Sequence, residues 1–550
     1  MKKTISIFLL IMCAALWAGC DREVNNWEVD PSADGLFRPL TFEENNLTAT
    51  AVEIAYTQVS NATHYVFEFS KDSLLFNDIV RRDTILRDTL TVFADNTSSM
   101  KVEFHTWFTK LDGETKYSVR MKAISKTSGK ESGYSSFFFQ TPGEQLFTDA
   151  VPELSQVKLS WTPGEEVDRI QLLSKNQTGS AYGDPVDYVV TADEAQAGEK
   201  LITDLQMGTA YMAYIYKGEK RRGNISFRTS GLLNSETVEV GTDMDGGDLQ
   251  NRLQELVDAG KSTVSLVFST GNYHIDKLKV PAGIQNLALV GTNGPVGTDI
   301  NVLPVVELKQ VEMQGQDANG LGTVTYLSME NLNLTGTGEA LFYMKEGSAS
   351  TINFSGCYVN NYQTLINLKN GGKTYEAFSL DNCILSGCQT LVDNTGGDQA
   401  AVNKISMSKC TLKECGTWIN SKKKGLQSIS IDKCTVYNHT YGVTNMFRFD
   451  AQPGSVVVTN TILSGDNAGQ PFGMYKNYDY IDFSSCYITK DLTQGKYGFT
   501  NIVQYAGFTE ELFVNAAQGD FHIRAIANFN GKKEAGDPRW GVETTASAAE

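Results

Sequence analysis

Seven short segments in the second half of the chain follow one another at a nearly constant interval. They read Met-Glu-Asn-Leu-Asn from 329, Phe-Ser-Gly-Cys-Tyr from 354, Leu-Asp-Asn-Cys-Ile from 380, Met-Ser-Lys-Cys-Thr from 407, Ile-Asp-Lys-Cys-Thr from 431, Val-Thr-Asn-Thr-Ile from 458 and Phe-Ser-Ser-Cys-Tyr from 483. At the fourth residue of each (Leu332, Cys357, Cys383, Cys410, Cys434, Thr461, Cys486) the steps are 25, 26, 27, 24, 27 and 25 residues. A repeat in the twenties is one coil of a solenoid, and it dictates which residues lie above one another.

Within a coil the apolar positions alternate. Five residues before the marker stand Leu327, Ile352, Phe378, Ile405, Ile429, Val456 and Ile481; three before it, Met329, Phe354, Leu380, Met407, Ile431, Val458 and Phe483. Two after it stand Leu334, Val359, Leu385, Leu412, Val436, Leu463 and Ile488. A period of two means strand. Between the two apolar pairs the alternation skips one residue, so the chain must bend there. Asn331, Gly356, Asn382 and Asn460 occupy the bend and tolerate positive φ; Lys409, Lys433 and Ser485 suit it less well. A third stripe, nine after the marker, is Leu341, Ile366, Val392, Ile419 and Val443. Three short strands per coil result, stacked in parallel about 4.8 Å apart. The pattern resembles the right-handed parallel β-helix of the pectate-lyase type.

The marker cysteines then stack inward as a ladder, with Cys388 and Cys415 forming a second. Packed free thiols and disulfides both satisfy the spacing, because the chain reads as exported. No CxxC is present, and a linear thiol stack does not surround a tetrahedral ion.

Residues 1–20 read as a signal peptide. Lys2 and Lys3 precede an apolar run from Ile5 to Leu16, followed by Leu16-Trp-Ala-Gly-Cys20. This resembles the bacterial lipobox, which implies lipidation of Cys20, with acyl chains partitioning at about 0.8 kcal/mol per buried CH₂. Asp21 and Glu23 resemble, in part, the surface-export signal of Bacteroidetes lipoproteins. The expected location is the outer membrane, lipid-anchored and surface-exposed, with residues 21–38 as a tether.

Two blocks of alternating strands follow, 39–142 and 143–230, each the size of a sandwich domain. Leu111-Asp-Gly-Glu-Thr-Lys-Tyr117 and Leu205-Gln-Met-Gly-Thr-Ala-Tyr211 resemble the Leu-x-x-Gly-Thr-x-Tyr segment of fibronectin type III modules. That resemblance implies corner tyrosines at 117 and 211 and a buried Trp161, with Tyr56 in the matching place of the first module. The β-helix is expected over 231–500. A short amphipathic helix carrying Leu249, Leu253, Leu256 and Val257, capped by Asp248 and ended by Gly260, would cover its first edge. Residues 501–550 form a closing segment. Its Leu512-Phe-Val-Asn, Gly519-Asp-Phe and Gly536-Asp-Pro-Arg-Trp540 resemble β-helix lipoproteins of Bacteroidetes polysaccharide-utilisation loci. The fold class is therefore all-β: two fibronectin type III-like sandwiches, then a right-handed parallel β-helix with a capping helix.

A formal charge of −17 argues against nucleic acid as a partner. The segment 404–433 departs from this, with seven lysines against Glu414 and Asp432. It reads either as a solvated face or as one wall of a groove for an acidic glycan.

If the third stripe points inward, the residues one before and one after it point outward. These are Trp418 with Leu365 and Leu391, and the row Phe342, Asn367, Asp393, Asn420 and Thr444; Lys369 and Lys422 stand two further along. An aromatic plate with amide and carboxylate groups is what a sugar needs, so Asn367, Lys369, Asp393, Trp418, Asn420 and Lys422 form the candidate carbohydrate subsite. A lyase would need a base and a cation that absorbs enolate charge, with calcium asking for six to eight oxygens; this row has one carboxylate. Hydrolysis would need two facing carboxylates. No catalytic residue and no cofactor is assigned, calcium entering only under the lyase alternative. The expected function is non-catalytic binding of a plant-type polysaccharide, which the family resemblance points towards pectin. The alternatives are a β-helix polysaccharide lyase and a structural or adhesive surface protein. The expected partners are the glycan, the membrane through the lipid, and an outer-membrane glycan-uptake complex.

Overall fold

The computed structural model describes residues 35–93, 102–175, 181–314, 323–344, 347–368, 374–396, 400–422, 426–439, 445–466 and 469–543. The leader, Cys20 and most of the tether lie outside these residues, as do Lys369, Val443 and Thr444. Two compact units are present: residues 1–146 with 167–169 and 214–224, and the remainder of the chain.

The first unit contains an antiparallel sandwich. One sheet holds Phe42–Leu47, Ala51–Thr57, Glu103–Thr109 and Val92–Phe93; the other is built on His64–Ser70 and Lys116–Ser125. Inward-facing alternation on both sheets closes an aromatic core, in which Tyr56 meets Tyr65 edge-on at 5.2 Å. The Tyr117 hydroxyl accepts from the Asp112 main-chain N–H at 2.9 Å, and Tyr211 accepts from Gln206 N–H at 2.9 Å. Both tyrosine corners are thus formed. Trp161 is buried as expected.

The second unit contains the parallel β-solenoid. Its long face is a ten-stranded sheet that includes Thr323–Glu330, Ser348–Ser355, Thr374–Asp381, Ala401–Ser408, Leu426–Asp432 and Ser455–Thr459. Each of these strands leads through a bend into a three-residue strand (Asn333–Thr335, Tyr358–Asn360, Ile384–Ser386 and their successors). A five-residue strand follows, as in Thr364–Leu368, Thr390–Asn394 and Thr417–Ser421. All pairings between coils are parallel and in register. The seven bend residues all lie at positive φ: Asn331 56°, Gly356 63°, Asn382 53°, Lys409 51°, Lys433 53°, Asn460 48° and Ser485 52°. A Cβ on Gly356 would come within 2.5 Å of Asn331 Oδ1 and Pro295 Cβ, so that bend is closed to other residues. Lys409, Lys433 and Ser485 accept a cost of about 1–2 kcal/mol each because the register of the coils on either side leaves no other path.

The interior is one continuous apolar stack. The seven cysteines from 357 to 486 are free thiols, all buried, and Thr461 takes the same place in its coil. Several donate to the carbonyls of the preceding coil, as Cys357 Sγ does to Met329 O at 3.3 Å and Cys486 Sγ to Val458 O at 3.3 Å. Burial pushes the Cys486 thiol up to about 11. A thiol reacts only where a reagent can reach it, and all seven are buried, so none is expected to react with a dithiobenzoate reagent near pH 8 until the chain is unfolded, when all seven should. Slow labelling in the native state, or a deficit after unfolding, would contradict the ladder of free thiols.

The capping helix spans Gly246–Asp258, with Leu249, Leu253 and Leu256 buried. Its N-cap is Asp245, not Asp248. Asp245 accepts from Gly247 and Asp248 N–H at 2.7 and 3.0 Å, and Asp248 closes the capping box from the third helical position. Gly260, at φ 77°, ends the helix as expected.

The Gly-Asp-Pro-Arg-Trp segment is a latch. It lies on the three-residue strands, where Trp540 Nε1 donates to Thr411 Oγ1 at 2.7 Å and Thr411 Oγ1 donates to Asp537 Oδ2 at 2.8 Å. Asp537 N donates to Thr435 Oγ1 at 2.9 Å, and Arg539 Nη2 reaches the bend residue Asn382 Oδ1 at 2.6 Å. Gly536 N also donates to Asn460 O at 2.8 Å, so five residues of tail tie four coils together.

Candidate functional site

The five-residue strands bring Asn367, Asp393 and Asn420 onto adjacent rungs, paired Asn367 with Asp393 and Asp393 with Asn420. Strand neighbours lie about 4.8 Å apart, so three residues separated by 26 and 27 positions form one row. The row is longer than the spacing predicted. Tyr343 pairs with Asn367 at one end and Arg448 with Asn420 at the other. Phe342, expected in the row, is instead fully buried. The first coil carries one residue more before its strand, and in the coil after Asn420 four more residues than in the three coils from Cys357 to Asn420 separate the marker from the paired position. A fixed offset from the marker therefore misses both ends. The missed signal was chemical: an aromatic and a cation each flank the strand core of their coils.

Trp418 does not belong to this surface. It is 1% exposed and packs edge-on against Phe447, with ring centroids 6.0 Å apart and planes at 89°. Leu365 and Leu391, at the equivalent position, are buried as well. Each coil turns a corner just before its five-residue strand, so two consecutive residues face the interior there and the simple alternation fails. Lys422 is half-buried at the end of its strand, and Lys369 lies outside the described residues.

The polar groups of the row are not joined into a ladder. Oδ1 of Asn367, of Asp393 and of Asn420 is enclosed and accepts no hydrogen bond, and Arg448 Nε has no acceptor. Native structures leave few such groups unsatisfied, and each one needs a reason. Arg448 lies over the Tyr475 ring, 4.5 Å from its centroid. Beside it Lys476 meets Asp450 at 2.9 Å; the lysine holds the Asp450 carboxyl below its ordinary range, and Asp450 raises the lysine. The row thus runs from a phenol, through amide, carboxylate and amide, to a guanidinium backed by an aromatic ring.

Lys423 and Lys424 lie outside the described residues, and Lys404, Lys409, Lys413 and Lys433 do not gather at the row. Lys404 projects from the long face, Lys409 and Lys433 sit at bends, and Lys413 donates to Ala517 O of the closing segment at 2.9 Å. One coil carries charge close in sequence around its whole circumference, so the local excess is spread over several faces. Among the described residues no group of three or more His, Cys, Asp or Glu side chains could hold a metal ion. No described helix is long and apolar enough to cross a membrane.

No protein-family model and no curated protein matches the chain. Among solved structures, a two fibronectin type-III domain segment from chicken tenascin matches at 19% identity, over 35% of this chain and 99% of that one, with a TM-score of 0.22.

Proposed function

We propose that the row from Tyr343 to Arg448 binds an acidic plant-type glycan without transforming it. The reading is supported by one observation above all: four in-register polar side chains that leave hydrogen-bonding atoms unused. Buried polar atoms without partners are costly, and a ligand that inserts hydroxyl and carboxylate groups between them would relieve that cost. Arg448, fixed over Tyr475, suits the carboxylate of a uronic acid, since a guanidinium presents paired donors. Binding rather than bond cleavage is favoured because Asp393 is the one carboxylate in the row and Asp450 is engaged by Lys476. The leader and Cys20 support a lipid-anchored place on the cell surface, where the solenoid would meet polymeric glycans before an uptake system does.

The test is affinity electrophoresis of the full chain in gels containing polygalacturonate or neutral glycans, with absorbance at 235 nm followed in parallel. Retardation by polygalacturonate with flat absorbance is expected. Arg448→Ala should weaken it about tenfold or more, the worth of one charge-assisted hydrogen bond. Rising absorbance would instead establish the lyase alternative. Retardation indifferent to Arg448 would remove the row as the site.

A further inference from the structure

The outer surface of the long face carries a polar cleft open to solvent. On strands Thr263–Phe268 and Asn286–Gly291 the outward residues Ser265, Val267, Ala288 and Val290 are covered, each at most 1% exposed. The chain after Arg228 crosses them: Leu232 N and Ser235 Oγ bond to Ser265 Oγ at 3.3 and 2.8 Å. This cover stops at strand Thr323–Glu330, where Gly231 N donates to Glu330 Oε2 at 2.7 Å and Asn331 Nδ2 donates to Ser230 Oγ at 2.8 Å.

Immediately past that edge a cleft of about 670 Å³ opens, with Arg228, Pro152 and Pro295 as its end wall. Its floor is formed by Tyr326, Asn353, Ser355, Ser379 and Asp381 from three successive strands. Glu330 lines it, is 3% exposed, and its Oε1 accepts no hydrogen bond; Arg228 Nη1 stands 3.9 Å away. Asp381 accepts from Ser408 Oγ at 2.5 Å through one oxygen. Further along the face Ser406 and Ser408 are followed by Ser428 and Ser430, with Lys404 and Asp432 at the two ends of these outward rows.

We propose that this cleft holds the terminal residue of a neutral oligosaccharide, whose chain runs along the serine-lined face away from the Arg228 wall. The Tyr326 ring offers a surface for one face of a sugar. Asn353 donates and accepts, and the carboxyl groups of Glu330 and Asp381 accept from neighbouring hydroxyls. The rung spacing of about 4.8 Å is close to the length of one sugar ring, so successive rings can meet equivalent side chains. Two carboxyl groups against one guanidinium disfavour a uronate here, which separates this site from the row. A peptide is disfavoured too: the floor strands are paired on both sides, so no sheet edge is free for strand addition. The inference is independent of the reading of the row.

Calorimetric titration of the full chain with neutral trisaccharides from galactan, arabinan, xylan and cellulose tests it, with trigalacturonate and an unstructured peptide of similar mass alongside. At least one neutral trisaccharide should bind saturably at one site, and Ser379→Trp, which fills the cleft from an outer-face position, should weaken it tenfold or more. Asp381→Ala is the smaller change, expected to weaken binding about fivefold while the melting temperature stays near wild type. The proposal is overturned if no neutral trisaccharide saturates the protein at millimolar concentration. It is equally overturned if binding ignores both substitutions, or if the cleft variants abolish trigalacturonate or peptide binding instead.

Discussion

Replacing Trp418 by alanine is expected to destabilise the solenoid by about 3–5 kcal/mol, the range for removing a large aromatic from a packed core. The side chain is 1% exposed and wedges against Phe447 at a coil corner, where neighbours held by parallel pairing on both sides cannot collapse into the gap. Trp418→Phe should cost much less, about 1–2 kcal/mol. It loses volume, but it also removes Nε1, a buried donor without an acceptor. Denaturant midpoints of the two variants measure this order. Retardation by polygalacturonate should be unchanged in Trp418→Phe, since the ring faces the interior. A surface platform would give the reverse pattern: unaltered stability and weakened binding.

Trp540→Ala should release the closing latch, again with a loss of about 3–5 kcal/mol. The indole is 5% exposed, meets Phe521 at 5.4 Å, and donates to Thr411, which in turn donates to Asp537. Asp537 adds a pH dependence. Burial, opposed in part by Arg539, pushes its carboxyl up to about 6 from the ordinary 3.8. The folded state therefore holds this proton over a range in which the unfolded chain has released it. Its contribution to stability is fully present below about pH 4 and declines as pH rises to about 6. The difference is about 3 kcal/mol for this group alone. Asp537→Asn cannot titrate, so the gap in unfolding free energy between wild type and Asp537→Asn should shift by about 2–3 kcal/mol between pH 4 and pH 7. A constant gap would show that Asp537 stays charged in the latch.

Much of this is readable in the amino-acid sequence. A marker every 24–27 residues, apolar at fixed offsets, is a strong signal because parallel stacking repeats one local environment coil after coil. The bend at Asn331, Gly356 and Asn382 was legible from its residue types, and the two tyrosine corners from their flanking Leu and Gly. Asn367, Asp393 and Asn420 were placed together correctly because three consecutive coils keep the same offset. Trp418 was misplaced because strict alternation was carried through a corner. Tyr343 and Arg448 were missed because one extra residue in one coil and four in another shift the strand without changing its apolar pattern. A side chain's face depends on local count, and a repeat does not reveal where a turn has grown.

The cleft beneath Arg228 was not legible at all. Its floor comes from residues 326–381, its wall from 152, 228 and 295, and no periodicity links the two. Likewise the latch joins Thr411 and Thr435 to residues more than 100 positions later. The amino-acid order determined the coil, its register and its inward residues, since these follow from short-range alternation and turn chemistry repeated many times. Tertiary structure alone decided which outward groups are covered, which are left without partners and which meet across the surface, because those outcomes depend on long-range docking of segments that share no repeat.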